Sequence, residues 1–320
     1  MRGWLRRALL LVLVVTTLAP QEASAITNDT WEVAPTVTAR STAPSRVYFI
    51  YNLSPGQVLH DSVTIRNLTQ RPLAFNLFAS DAVNTPGNGQ FGLKGPDAPK
   101  TDVARWVSLP PSPLTVPGQA HVDLPFTVVV PAGATPGDHG GGVVVAEVQP
   151  SGKQAASGAQ VNVVRALAVR VYARVSGPVR AGLAVSSLKI TARLPAVPHV
   201  TGNGVATITY TVTNTGNVRE AATARVHLTD LFGRTIANLP DLKLVELLPT
   251  GRATITQQWR GVPAAGRFTA HLALVTSDAT AIAQARFWAI PWLVLGVIAL
   301  AIVLIVVTVA LRRRRRRVGA

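Results

Sequence analysis

The chain has 320 residues, no cysteine and a formal net charge of +16, from 31 Lys and Arg against 15 Asp and Glu. Without cysteine there are no disulfides and no thiolate metal sites, so an exported domain must rely on a core of adequate size. The charge invites a nucleic-acid reading, but three basic residues stand in the first 25 positions and six in the last nine, leaving about +8 spread over residues 26–286.

Arg2, Arg6 and Arg7 precede an 11-residue apolar core, Ala8 to Leu18, and Ala23-Ser24-Ala25 follows as a small-x-small cleavage site. This predicts a secretory signal peptide over 1–25 and a mature chain from Ile26. Beyond it, Val, Thr, Ala, Pro and Gly dominate. Apolar and polar residues alternate in Ser62–Asn67, His121–Val130, Ala206–Val212 and Phe268–Leu274, the period of half-buried strands. Val161–Val175 reads as one strand whose apolar face is interrupted by Arg165. Pro and Gly clusters at 54–56, 85–89, 116–118 and 134–137 separate the runs. The pattern predicts an all-β chain of two Ig-like antiparallel β-sandwich domains, 26–178 and 179–286. Ser151–Gly158 is polar and small, and reads as a long loop before the last strand of the first domain. Thr101–Trp106 is expected to make one short helical turn.

An echo links the two halves. Val63-Thr64-Ile65-Arg66-Asn67 and Tyr210-Thr211-Val212-Thr213-Asn214 each end a strand on asparagine before a polar turn. Asparagine tolerates left-handed backbone and bonds its own turn, so the echo predicts two sandwiches of related design.

From Ala289 to Leu311 there are 23 residues without a charge, about 34 Å as a helix, enough to cross a bilayer core of about 30 Å. A transmembrane helix is predicted over 287–311. Trp288 and Trp292 stand at one interface as an aromatic belt. Arg312, Arg313, Arg314, Arg315, Arg316 and Arg317 open a basic tail, 312–320, that holds the other end on the cytoplasmic side. The arginines therefore read as a stop-transfer anchor rather than a nucleic-acid tail. The expected location is the cell membrane, single-pass, with the sandwiches outside.

The histidines, at 60, 121, 139, 199, 227 and 271, show no metal-ligand spacing, and no nucleophile elbow, P-loop or dinucleotide fingerprint is present. No catalytic residue, metal or cofactor is expected, and the chain reads as a non-enzyme. Asp138-His139-Gly140-Gly141-Gly142 is the most pointed cluster. It reads either as a ligand pair beside a glycine loop or, the favoured reading, as a turn leading into a bulged strand with close backbone approach. In Tyr48-Phe49-Ile50-Tyr51, alternate members such as Phe49 and Tyr51 are expected to face the core.

Tyr48–Gln57, Val63–Asn67, Asp81-Ala82, Pro125–Pro131 and Gly141–Val144 occur in an order that resembles the peptidoglycan-binding domain of the WxL-interacting protein family, over residues 46–150. The resemblance covers about a third of the chain, and the Ala/Arg/Val-rich composition suggests an actinobacterial-type member. Proteins of that family are similar in layout: signal peptide, β-sandwiches, one C-terminal membrane helix and a basic tail. It implies that the first sandwich binds peptidoglycan. Region 179–286 departs from the family's second domain and reads as a generic extracellular Ig-like module, so that domain's host-protein binding is not carried over. No family residue transfers by position. Tyr51, Asp81, Trp106 and His139 are the candidate ligand contacts, as polar or aromatic groups near loops that could face a glycan. The alternative function is a protein–protein interaction scaffold that binds a secreted or membrane partner by adding a strand at a sheet edge.

Overall fold

In a computed structural model the described residues are 26–27, 29–37, 46–150, 152–156, 159–194, 204–277 and 279–318; the expected signal peptide, 1–25, lies outside them. The first half contains β1 (Ile26–Thr27), β2 (Trp31–Pro35), β3 (Phe49–Leu53), β4 (Val58–Asn67), β5 (Leu73–Asn84), β6 (Phe91–Leu93), the single helical turn α1 (Val103–Trp106), β7 (Val107–Ser108), β8 (Leu114–Val116), β9 (His121–Val129), β10 (Gly137–Glu147), β11 (Gly152–Ala156), β12 (Ala159–Val163) and β13 (Ala166–Val175). The second contains β14 (Leu183–Arg193), β15 (Gly204–Asn214), β16 (Thr223–Thr229), β17 (Thr235–Asn238), β18 (Leu242–Lys243), β19 (Arg252–Val262), β20 (Gly266–Val275), β21 (Thr280–Ala289) and the long helix α2 (Trp292–Val318).

Each half is a pair of sheets closed on its own core. In the first, β1-β2-β4-β9-β7 faces β3-β13-β10-β5-β6, with β8 added to β5. Trp31, Phe49, Val63, Ile65, Phe75, Phe126 and Val128 fill the space between. In the second, β14-β15-β19 faces β17-β16-β20-β21, with β18 added to β16, around Ile208, Tyr210, Leu228, Trp259, Leu272 and Leu274. The strand period of two does this directly: Ala206, Ile208, Tyr210 and Val212 are fully buried while the threonines between them are not. Burying each large apolar side chain contributes about 1.5–3 kcal/mol. The chain is thus two Ig-like β-sandwiches followed by one apolar helix.

Several local expectations change. The 151–158 region contributes a strand rather than a loop: β11 and β12 form an antiparallel hairpin, Gly152 pairing with Val163 and Ala156 with Ala159. The expected single strand 161–175 is correspondingly split, with Val164 and Arg165 outside both β12 and β13. The strand start at Asp138 is not bulged, since β10 pairs in unbroken register with β13 from Gly137 to Ala146. The membrane helix begins at Trp292 rather than 287. Phe287 and Ala289 are buried in the second core, so β21 keeps its alternation to Ala289, and Pro291 stands just before the helix start.

The asparagine echo is structural. Asn67 donates Nδ2 to the carbonyls of Arg71 (2.8 Å) and Val116 (3.1 Å), and its Oδ1 accepts from the Thr69 amide (2.9 Å). Asn214 donates to Val218 (2.7 Å) and Leu247 (3.0 Å) and accepts from the Gly216 amide (2.9 Å). Both residues are buried. The same side chain closes the same turn in both sandwiches.

Candidate functional site

Three of the four candidate ligand residues come together, and all four are engaged internally. Asp81, on β5, accepts from the amides of Thr101 (2.7 Å), Asp102 (3.2 Å) and Ala104 (2.8 Å) and from Thr101 Oγ1 (3.0 Å). Lys94 Nζ lies 3.5 Å away. Burial opposes ionisation of Asp81, but these donors outweigh it and hold its pKa below the usual carboxylate range. Asp81 therefore anchors the loop that carries α1. Trp106, on that turn, is buried, and its ring lies 4.7 Å from His139. The His139 ring bonds Asp102 through Nδ1 (2.7 Å) and the Thr135 carbonyl through Nε2 (2.8 Å). Burial pushes the His139 pKa down, yet Asp102 and the carbonyl raise it above its ordinary value. Tyr51 stands apart. Its hydroxyl donates to Asp61 (2.7 Å), which also takes both Arg46 Nη atoms at 2.7 Å, and burial followed by the Asp61 bond pushes the phenol pKa up.

The glycines beside His139 are explained by close packing. A Cβ on Gly141 would fall 2.7 Å from Val103 of α1. Gly137, at φ +121°, would place one 2.1 Å from the Asn217 carbonyl of the second sandwich. This close approach belongs to a seam between the sandwiches. Asp138 receives Arg174 Nε (2.6 Å) and Nη2 (2.7 Å) from its own sandwich and the Arg219 amide (2.8 Å) from the other. Asn217 donates to the Pro136 carbonyl (2.9 Å). Asn84 accepts from the Leu248 amide (2.9 Å) and donates to the Glu246 carbonyl (3.0 Å).

The seam ends on a strand edge. The Gly87 carbonyl accepts the Thr254 amide at 2.6 Å. Thr254 lies on β19, whose other side pairs with β15 from Arg252 to Val262. In an antiparallel pair the N–H and C=O of one residue point the same way, and successive residues alternate. The Gly87 bond therefore marks Thr254 as outward-facing in the sheet plane, and with it Thr256, Gln258 and Arg260. Beyond Gly87, no strand pairs with this side of β19 among the described residues. A cavity of about 490 Å³, lined in part by Asn84, Gly87, Leu248, Arg252 and Thr254, opens at the start of this edge.

Other edges are short or guarded. β9 carries Pro125 and is partly covered by β7. β14 is bulged at Ser187, which has φ +51°, and runs beside β21. β19 is eleven residues long, without proline, and in even register from Arg252 to Arg260. No sequence motif marks it out as an open edge. Its signal is Ala253-Thr254-Ile255-Thr256-Gln257-Gln258-Trp259, alternating weakly because Gln257 occupies an inward position.

The first sandwich presents a second surface. Arg170 lies over the rings of Phe91 (4.3 Å) and Tyr48 (5.3 Å), and both rings meet Tyr172 edge-on. Arg219 of the second sandwich covers Tyr172 at 4.0 Å. At the other end of the molecule, Trp288, Trp292 and Arg312 are exposed, while the side chains of Arg313 to Arg317 lie outside the described residues. Helix α2 is apolar and long enough from Trp292 to Arg312 to cross a membrane. Among the described residues no group of three His, Asp or Glu could hold a metal ion.

No protein-family model matches the chain. No curated protein matches it in sequence. Among solved structures it is similar to a chain of the chaperone–tip subunit pre-assembly complex of archaic chaperone-usher pili from Acinetobacter baumannii, at 11% identity over 77% of this chain and 96% of that one, with a TM-score of 0.38. It is also similar to the E. coli chaperone DraB, at 12% identity over 81% and 95%, with a TM-score of 0.35.

Proposed function

We propose that the chain is a non-catalytic protein-interaction module that captures an extended segment of a secreted or membrane partner by strand addition along β19. The observation that carries this is the Gly87–Thr254 bond. The first sandwich already adds one carbonyl to this edge, and Thr256, Gln258 and Arg260 continue the ladder with no backbone partner among the described residues. An added strand would pair with them and enter beside the interdomain cavity. Main-chain bonds would supply affinity; Thr254, Thr256, Gln258 and Arg260, exposed on the outer face of the sheet, would read alternate side chains of the partner.

The test is a selection of extended peptides on the full-length chain in nanodiscs, followed by proline replacement. Gln258→Pro removes only an outward N–H and spares the ladder to β15. The reading expects binding to fall at least about tenfold with Gln258→Pro, the scale of one or two lost backbone bonds. Binders unaffected by that change would rule it out.

The aromatic–arginine surface of the first sandwich supports a second reading, the wall binding that the family resemblance implies. Tyr48 and Phe91 flanking Arg170 are the surface aromatics to which a sugar face would stack. Here Tyr48→Ala should release the full-length chain from insoluble peptidoglycan at high and low salt alike. Unchanged sedimentation would remove this reading and leave the first untouched.

A further inference from the structure

The tip of the β16–β17 hairpin is the least expected surface of the molecule. Asp230-Leu231-Phe232-Gly233-Arg234 turns there, with Leu231 58% and Phe232 79% exposed. Two consecutive large apolar side chains in a tight turn are normally selected against unless something covers them. The turn is also rigid. Asp230 Oδ1 accepts the amides of Phe232 and Arg234, both at 2.9 Å, and its Oδ2 takes Arg234 Nε at 2.7 Å. The Arg234 guanidinium lies over the Phe232 ring at 5.4 Å. The apolar pair is thus held outward by a dedicated polar frame.

Strand register locates the tip. Thr229, just before it, pairs with Thr269, which pairs with Arg286; three residues on, Gly266 pairs with Ala289. The tip therefore stands at the end of the sandwich where β21 hands over to α2, while the seam with the first sandwich, at Asn217, Leu248 and Thr254, occupies the opposite end. The same end carries Trp288, 64% exposed, and Trp292, 73% exposed, and Arg286 is exposed between the two levels. Exposed aromatics with arginines beside them, at the mouth of an apolar helix, have the composition of a bilayer interface.

We infer that Leu231 and Phe232 form a second, shallow membrane contact, a wedge that enters the headgroup boundary of the leaflet in which α2 begins. With α2 as one attachment and the hairpin tip as the other, the second sandwich would be held in a fixed orientation on the bilayer rather than swinging on the Ile290–Pro291 link. The β19 edge would then be presented at a constant angle to the surface.

Because the chain has no cysteine, single labels test this in the full-length protein. Leu231→Cys, Lys100→Cys on the first sandwich, and Val303→Cys in the middle of α2 are each labelled with an environment-sensitive fluorophore in nanodiscs containing spin-labelled lipids. Val303→Cys reports insertion of the helix independently. The inference expects position 231 to be quenched about threefold more by a shallow spin label than position 100, as for a side chain seated roughly 5–10 Å into the boundary. Adding Phe232→Asp should return it to the position-100 level without changing Val303. Quenching at 231 equal to that at 100, with Val303 quenched, would overturn it. A blue-shifted but unquenched 231 would also overturn it, by showing a protein cover instead of lipid. None of these outcomes depends on strand addition at β19.

Discussion

At the scale of single residues, the strongest determinants are buried polar groups that close turns. Asn67 and Asn214 each bond two carbonyls and one amide around their own turn. Alanine at either position removes all three of these bonds and should destabilise its own sandwich by about 2–3 kcal/mol, read as a shifted denaturant midpoint. Asp81→Ala should cost about 2–4 kcal/mol on the same grounds, since the amides of Thr101, Asp102 and Ala104 lose their acceptor. His139 gives a pH test. Its folded pKa is raised above the ordinary value near 6.5, because Asp102 and the Thr135 carbonyl outweigh burial. Its contribution is therefore fully present below about pH 6.5 and is lost as pH rises through the folded value. Wild-type stability should fall over that window more than that of His139→Gln; equal slopes would contradict the assignment. The asparagines were legible because the strand–Asn–turn pattern occurs twice. The loop amides that Asp81 accepts lie 20–23 residues away and the Asp102 that pairs with His139 lies 37 away, and no spacing rule announces a carboxylate anchoring a loop that distant.

At the scale of elements, alternation made most strands readable. The sandwich class follows from Ala206–Val212 and His121–Val130 without further information. The misread elements have physical causes. β11 looks like a loop because Gly, Lys, Gln and Ala carry little strand signal, and its pairing is supplied by a tight hairpin with β12. The α2 boundary moved because Phe287 and Ala289 satisfy the sandwich core before the helix starts. β19 could be read as a strand but not as an open one, since edge status is decided by the fold of the other strands. Proline scanning separates its two sides. Thr256→Pro removes an outward N–H and should cost at most about 1 kcal/mol, whereas Ile255→Pro removes a bond to β15 and should cost about 3 kcal/mol or more. Urea midpoints of the two variants that coincide would contradict the assigned facing of β19.

At the scale of the whole molecule, the seam turns two sandwiches into one platform. Asp138 is its charged centre, held between Arg174 and Arg219, and its pKa stays low because these donors outweigh burial. Asp138→Ala combined with Asn84→Ala should broaden the distance distribution between spin labels at Lys100 and Lys243. An unchanged distribution would mean that Gly137 and Asn217 alone fix the geometry. The seam matters because it places Gly87 on β19 and opens the cavity beside it. The apolar helix then follows the opposite end of the second sandwich, so the edge lies between the first sandwich and the helix.

The most direct measurement of the central claim is photocrosslinking in the host cell, with a photoreactive residue replacing Thr256 in the full-length chain. Strand addition predicts a discrete protein adduct that disappears when Gln258→Pro is added and persists when Tyr48→Ala is added. An adduct indifferent to Gln258→Pro, or no adduct from Thr256 while other surface positions crosslink a partner, would contradict the account.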